Sequence, residues 1–326
     1  MKDVAVIILV ISILANVCNC IFVGIPNRII EKEGEIMART YPYGSGVVKL
    51  VSTEWLAQKL EGSGIWILDV QPNVHDYIKE HIPGAVYLNE DHFRSFSGGL
   101  PAQWISFGAV EPILRSAGLR PDVPVVVYTA VGAFKGWGDG LEQTMVAYSL
   151  ARYGHCQVYV LDGGLDKWKE EGRPLSQEYS VIEPSDFQVA VPNEYFVGYD
   201  EFVRIKDRED VILLDARPPA IYEGQGPWKK PGHIPGAINL PWMSLMNEKN
   251  KALLKSEEEI AEILRAHNVG PEKTVICSCG TGREATNEFL LFKFYLGYPR
   301  VKIHEGAFTE WITYPENPTV TGGNPR

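Results

Sequence analysis

The chain reads as an α/β protein of two domains, each a mainly parallel sheet flanked by helices, and three features predict this. Apolar, β-branched runs alternate with amphipathic helical stretches, as expected for strands joined by crossover helices. The alternation runs through the same order twice. Anchors recur in both passes: His81-Ile82-Pro83-Gly84-Ala85 with His233-Ile234-Pro235-Gly236-Ala237, Asp69 with Asp215, and the tryptophan-closed segments 164–168 and 306–311. A unit this long, repeated once, means two copies of a domain, not a solenoid. The length of 326 residues agrees.

The elements follow in order. In the first copy, residues 48–174, Ser52 is placed to cap the helix TEWLAQKLE, and the strand IWILDV follows. HIPGAVYL opens a long polar and aromatic excursion, closed by the helix AVEPILRSAG. Then come the strand PVVVYTA, the helix MVAYSLARYG, the strand QVYVLDGG and the closing segment LDKWKEEG. Residues 175–196, charged and proline-bearing, read as an interdomain linker. The second copy, residues 197–315, repeats the order: DEFVRIKD, VILLDARP, HIPGAINLPW, EEEIAEILRAHNVG, TVICSC, EATNEFLLFKFYLG and VKIHEGAFTEW. Residues 316–326 form a C-terminal tail.

The ends and the bulk composition bound the function. Residues 1–25 carry the apolar run VAVIILVISILANVCNCIFVGIP, interrupted by Asn16 and Asn19, and read as a signal peptide or membrane anchor. The expectation is an exported protein, periplasmic or membrane-associated outside the cytoplasm. Residues 26–47 are polar and read as a linker. A net charge of −10 with no dense basic tract argues against nucleic acid as a partner. Five unevenly placed cysteines do not make a disulfide framework, and the scattered histidines give no metal site.

Chemistry concentrates in one copy. Aligned on their central strands, the copies set PVVVYTAVG beside KTVICSCGTG, so Cys279 is expected to face Ala130. The first copy then has no nucleophile but is about six residues longer here, the excess falling within GAFKGWGDG and expected to shape the cleft or dock a partner. In the second copy Cys279-Gly280-Thr281-Gly282-Arg283-Glu284-Ala285 joins strand to helix. Its glycines let successive N–H groups and the helix start face one sulfur atom, a setting expected to lower the thiol pKa and to hold a persulfide. Arg283 adds positive charge; Glu284 opposes it. Cys279 would attack the outer sulfur of a donor, and an acceptor would remove that sulfur in a second displacement.

These residues resemble tandem-domain rhodaneses, the thiosulfate and 3-mercaptopyruvate sulfurtransferases. The resemblance rests on the duplication, the paired HIPGA segments, LDAR and the cysteine loop, and it covers roughly residues 48–312. It implies a silent first domain, a persulfide on Cys279, donor binding by residues 280–285 and by Arg217, and no cofactor beyond the covalent persulfide. A small sulfur-containing anion would be the donor, and cyanide, a thiol or a protein thiol the acceptor. Thiosulfate enzymes typically carry CRKG, whereas CGTG matches the mercaptopyruvate pattern, in which an uncharged pair stands where this chain has Arg283-Glu284. Thiosulfate is taken as the generic sulfane donor; 3-mercaptopyruvate sulfurtransferase and a non-catalytic sulfur carrier or binding protein are the alternatives.

Plainer roles stand beside these. Arg217 either binds donor or pairs with Asp215. Asp215 is expected to order the loop, and His233, matched by His81 in the silent copy, to support the fold. Cys277 is either buried packing or a second, resolving thiol. A cysteine phosphatase would need arginine six residues beyond the cysteine, where Ala285 stands.

Overall fold

The computed structural model describes residues 39–326 except 61, 63 and 193; the expected leader and the start of the first linker lie outside the described residues. The first domain opens with β1 (Val48–Val51) and α1 (Thr53–Leu60), whose Trp55 N–H donates to Ser52 Oγ at 3.1 Å, the expected cap. Then come β2 (Trp66–Asp69), α2 (Val74–Lys79) and β3 (Val86–Tyr87). The excursion contains an antiparallel hairpin of β4 (Arg94–Ser97) and β5 (Leu100–Trp104), followed by α3 (Phe107–Ser116). The domain closes with β6 (Val125–Tyr128), α4 (Leu141–Arg152), β7 (Val158–Leu161) and α5 (Gly164–Glu170).

The second domain repeats the plan. It runs β8 (Phe196–Val197), α6 (Tyr199–Ile205), β9 (Val211–Asp215), β10 (Ile238–Asn239), α7 (Glu257–Ala266), β11 (Thr274–Ser278), α8 (Ala285–Leu290), β12 (Val301–His304) and α9 (Ala307–Trp311). Helix α7 starts at a capping box, Ser256 and Glu259 bonding each other's backbone N–H. The sheet orders are β1-β7-β6-β2-β3 and, in the matching direction, β8-β12-β11-β9-β10, with every pairing in both sheets parallel. The two domains of mainly parallel sheet flanked by helices are therefore present as expected.

Strand register corrects the alignment of the copies. Asp69 pairs with Tyr128 and Asp215 with Ser278, so Cys279 corresponds to Thr129, not Ala130. The next contact agrees: Leu165 N–H donates to Thr129 O as Phe308 N–H donates to Cys279 O. Ala307, at φ 54°, accordingly matches Gly164, at φ 59°. A hydroxyl stands where the second copy has its thiol.

One apolar core runs through both domains. Every residue of α4 is buried, and α4 packs on α8 through a Tyr148–Phe289 edge contact at 5.1 Å and a Thr144–Thr286 hydroxyl pair at 3.0 Å. A helix buried on all sides belongs to a shared interior. Glu305, after β12, accepts from Tyr148 at 2.6 Å and from Arg152 at 2.6 and 2.9 Å, closing an ion pair across the domains.

The flanking segments are also fixed. Arg39 and Tyr41, within the expected linker, donate to the buried Asp162, and Ser45 N–H reaches Phe294 O. The tail bridges His233 through Val320 just as the start of the interdomain linker bridges His81 through Ser176, so the tail completes the second copy. Among the described residues no helix is long and apolar enough to cross a membrane.

A shared core predicts that the two domains unfold together. Urea titrations followed by tryptophan fluorescence and far-UV circular dichroism should give one coincident transition. Phe289→Ala should lower the stability of the whole unit by about 3–5 kcal/mol. Two separated transitions, with only one moved by the substitution, would contradict the shared core.

Candidate active site

Cys279 is the first residue past β11, where the strand ends and the chain must turn before α8. The turn is built so that its carbonyls face one way and its amides the other. Phe308 N–H takes Cys279 O at 3.0 Å, and Thr309 takes Gly280 O with its N–H at 3.0 Å and its hydroxyl at 2.8 Å. With the carbonyls held by α9, the amides close on the sulfur: Gly282 N–H donates to Sγ at 3.0 Å, and those of Thr281 and Ala285 also lie toward it. Such a nest favours negative charge at its centre.

Two glycines are required for specific reasons. At Gly280 a Cβ would lie 2.5 Å from the Trp228 ring, which bonds Thr309 Oγ1 through Nε1 at 2.9 Å. Gly282 has φ +84°, and a Cβ there would meet Glu305 O at 2.8 Å. Trp228 thus lines the loop, whereas Trp242 sits in the core.

The charge around the sulfur differs from expectation. Cys279 is fully buried, and burial, followed by the neighbouring Glu284 carboxyl, pushes its thiol well above the ordinary range despite the amides. The expectation of a lowered pKa is corrected: desolvation outweighs the nest while the sulfur carries a proton. Arg283 is not a free cation either. Its Nε donates to Glu90 at 2.8 Å, Nη1 to Asp139 at 2.7 Å, and Nη2 to Asp139 and Glu142 at 3.0 and 3.2 Å. All three carboxylates belong to the first domain, and Asp139 lies in the expected extra segment. Arg283 is an interdomain clamp.

The cation that reaches the loop comes from the other domain. Arg94, on β4, donates to Thr281 O at 2.7 Å and to Thr281 Oγ1 at 3.2 Å, and its charge acts on Cys279 and Glu284. Sequence reasoning missed Arg94 because it lies 185 residues before the cysteine, in an excursion with no motif. Only the excess length of the first copy signalled a role near the cleft.

Arg217 and Asp215 pair closely. Arg217 Nε lies 2.9 and 3.1 Å from the Asp215 oxygens, and Nη2 reaches Asp215 at 2.6 Å and Gly232 O at 3.0 Å. Nη1 is buried with no hydrogen-bond partner, and Arg217 Cδ would lie 3.5 Å from a Cβ at Gly280. In the first copy Asp69 instead accepts from Gln71 and Tyr128. His233 stacks on Tyr222 at 3.6 Å and its Nδ1 lies 3.0 Å from Tyr222 O; His81 does the same with Tyr77, at 4.2 and 2.7 Å. This shared geometry makes the histidine a brace of the HIPGA turn in both copies.

Cys277 lies fully buried one strand period before Cys279 and is unbonded to it; burial, then Glu288 and Cys279, raise its pKa well above normal. Glu288, one helical turn beyond Glu284, is also fully buried, and neither carboxyl oxygen has a partner. Among the described residues no group of three His, Cys, Asp or Glu side chains is arranged to hold a metal.

Comparison with known proteins accords with this geometry. The family described as "Rhodanese-like domain" matches residues 52–171 and 199–314. A Synechococcus elongatus protein named "Putative thiosulfate sulfurtransferase" is 35% identical over 272 residues, covering 81% of this chain and 82% of its own. The Thermus thermophilus sulfur carrier protein TtuD is 29% identical, covering 80% of this chain and 93% of its own. The Escherichia coli 3-mercaptopyruvate sulfurtransferase is 28% identical, with 80% and 94% covered. Among solved structures, the anaerobic ergothioneine biosynthesis enzyme of Chlorobium limicola with trimethyl histidine superposes with a TM-score of 0.71 at 23% identity, covering 84% of this chain and 69% of its own.

The two arginines should separate by experiment. Arg94→Gln should raise the half-saturating concentration of an anionic sulfur donor about tenfold, or about 1.4 kcal/mol. Arg283→Gln should lower the urea midpoint and leave that concentration unchanged. Steady-state kinetics and urea titration on both variants check this; the opposite pattern would make Arg283 the donor-binding cation and Arg94 the clamp.

Proposed function

This chain belongs to the rhodanese-like domain family, and we propose that it is a thiosulfate sulfurtransferase working through a persulfide on Cys279. One observation carries the reading: the carbonyls of Cys279 and Gly280 are tied to α9 while the amides of 281, 282 and 285 surround a single sulfur. A nest of donors around a neutral thiol has charge to stabilise once that sulfur carries a second one. A persulfide is a stronger acid than a thiol, because its charge spreads over two sulfurs.

The proposed cycle has two displacements. Cys279 attacks the outer sulfur of thiosulfate, sulfite leaves, and cyanide or a thiol then takes the sulfur from the enzyme. Arg94 and the unpartnered Arg217 Nη1 are the charged donors available to the incoming anion. Thr281, Gly282 and Ala285 receive the persulfide through their amides, and Gly280 gives the turn its clearance under Trp228. Because Cys279 is fully buried, a donor reaches it only when a covering side chain moves. Export through residues 1–25 belongs to the proposal and rests on their apolar sequence alone.

A second reading has a specific feature in its favour. The CGTG loop lacks the basic pair of thiosulfate enzymes, and Glu284 lies against the sulfur, so 3-mercaptopyruvate, with one carboxylate, meets less repulsion than dianionic thiosulfate. The Thermus relative is named a sulfur carrier protein, and a carrier role is a further form of the same chemistry.

Intact-protein mass spectrometry after exposure to each donor separately ranks these readings. The wild-type protein should gain the mass of one sulfur atom and Cys279→Ser none. Initial rates against both substrates should give parallel double-reciprocal lines, the ping-pong pattern. Absence of sulfur gain with either donor would remove sulfurtransfer as the function.

A further inference from the structure

Cys279 and Arg217 are both fully buried, so neither the thiol nor the unpartnered Arg217 Nη1 meets a donor until something opens. The contacts of the cysteine loop narrow where that opening lies. On one side α9 holds the carbonyls of Cys279 and Gly280 through the Phe308 and Thr309 N–H groups and the Thr309 hydroxyl. On another, Arg94 reaches Thr281 O and Oγ1. Cys279 and Ala285 face the core shared by both domains. Trp228 is held less firmly. It is half-buried, its ring lies against Gly280 and 5.2 Å from the Arg217 guanidinium, and its indole N–H is latched by one hydrogen bond, to Thr309 Oγ1 at 2.9 Å.

The segment that carries Trp228 is an addition to the copy that has the thiol. His81 follows Gln71 by ten residues, whereas His233 follows their counterpart Arg217 by sixteen, and Trp228 stands within the longer interval. The backbone of this segment is fixed. Lys230 Nζ donates to the carbonyls of Tyr314, Pro315 and Asn317 at 3.1, 3.0 and 2.7 Å. Pro227 and Pro231 restrict φ on either side, and a Cβ at Gly232 would lie 1.9 Å from Val320 O. The ring itself touches two glycines: a Cβ would come within 2.7 Å of it at Gly226 and 2.5 Å at Gly280. Neither neighbour has a side chain to retain the indole, so the part free to turn is the Trp228 side chain about its own torsions.

We propose that Trp228 is the gate of the site and sets the size of the donor it admits. This rests on the sulfurtransferase reading and names how that site selects its substrate. In the empty site the Arg217 guanidinium lies between two rings, Trp228 at 5.2 Å and Phe308 at 4.4 Å, so its charge is covered by aromatic faces. When the indole leaves Thr309 and turns out, a donor enters beside Gly280. Its acidic group takes the place of the ring against Arg217 Nη1, and its sulfur comes to Cys279. The displaced ring still stands at the mouth, because its backbone does not move, and the entrance is narrower than the ring itself. Small anions such as thiosulfate and 3-mercaptopyruvate pass; a donor bearing an aryl group is refused. Phe308 is fully buried on α9 and stays in place.

Two variants of the full chain test the gate, one without the latch and one without the ring. Trp228→Phe keeps a ring but loses the N–H, and should speed modification of Cys279 by iodoacetamide about fivefold, the effect of one lost hydrogen bond on the open population. Trp228→Ala should change selectivity: modification of Cys279 by N-phenylmaleimide should rise about tenfold relative to iodoacetamide. Persulfide formation from toluenethiosulfonate should rise about tenfold relative to thiosulfate. Peptide mass mapping reads the alkylation site, and rapid-quench intact mass spectrometry reads sulfur gain. Cys277, buried one strand period away, is the internal control and should keep its wild-type rate. Equal acceleration at Cys277 and Cys279 would mean general loosening and overturns the proposal. So would wild-type selectivity in Trp228→Ala against both pairs of reagents. If wild type takes sulfur from no donor, the sulfurtransferase reading fails, while the alkylation ratio still decides the gate. If circular dichroism shows Trp228→Ala unfolded, Trp228→Phe decides, and an unchanged iodoacetamide rate at Cys279 overturns the proposal.

Discussion

The interface between α4 and α8 is the constraint on which the rest of the structure depends. A rhodanese-like domain has a sheet with helices on both faces, but α4 is buried on every side and α8 packs against it. Neither helix can find that burial within its own copy, so the two domains share one interior. This fixed juxtaposition carries the first domain's hairpin to the second domain's loop. It places Arg94 on Thr281 and closes three carboxylates around Arg283. The first domain has Thr129 where the second has its thiol, and its hairpin forms a wall of the second copy's site.

The site holds two opposed electrostatic demands. Burial around Cys279 penalises charge, while the amides of its loop favour it. With no second sulfur bound, burial outweighs the amides and raises the thiol pKa. The amide nest therefore has its full effect on a species that is more acidic than the thiol. Such an arrangement favours charge on a second sulfur over charge on the free thiol, which is what the proposed persulfide requires. The Glu284 carboxyl sharpens the contrast, because it adds to the cost of a free thiolate.

Much of this was legible in the sequence because the signals are local. The duplication shows in HIPGA and its spacing to Asp69 and Asp215; the cysteine loop shows in its glycines; the cap at Ser52 lies beside the helix it starts. Partnerships between distant residues were not legible. Nothing near Arg283 says that Glu90, Asp139 and Glu142 will enclose it, and nothing near Arg94 says that it will meet Thr281, 187 residues on. The one-residue error in matching Cys279 has a similar origin. The loops after β6 and β11 differ in length, so similarity of loop text cannot set the register that the Asp69–Tyr128 and Asp215–Ser278 pairings fix. The sign of the Cys279 shift was missed because burial depends on the core shared by both domains, not on the loop.

The central claim is that one sulfur atom rests on Cys279 inside a cradle completed by both domains. A crystal structure of the full chain treated with sulfur donor tests it directly. A second sulfur should be bonded to Cys279 Sγ, within hydrogen-bond distance of the amides of Thr281, Gly282 or Ala285, with Arg94 still on the loop. Sulfur found on Cys277 or Cys156, or an unmodified Cys279 in a fully ordered loop, would contradict it.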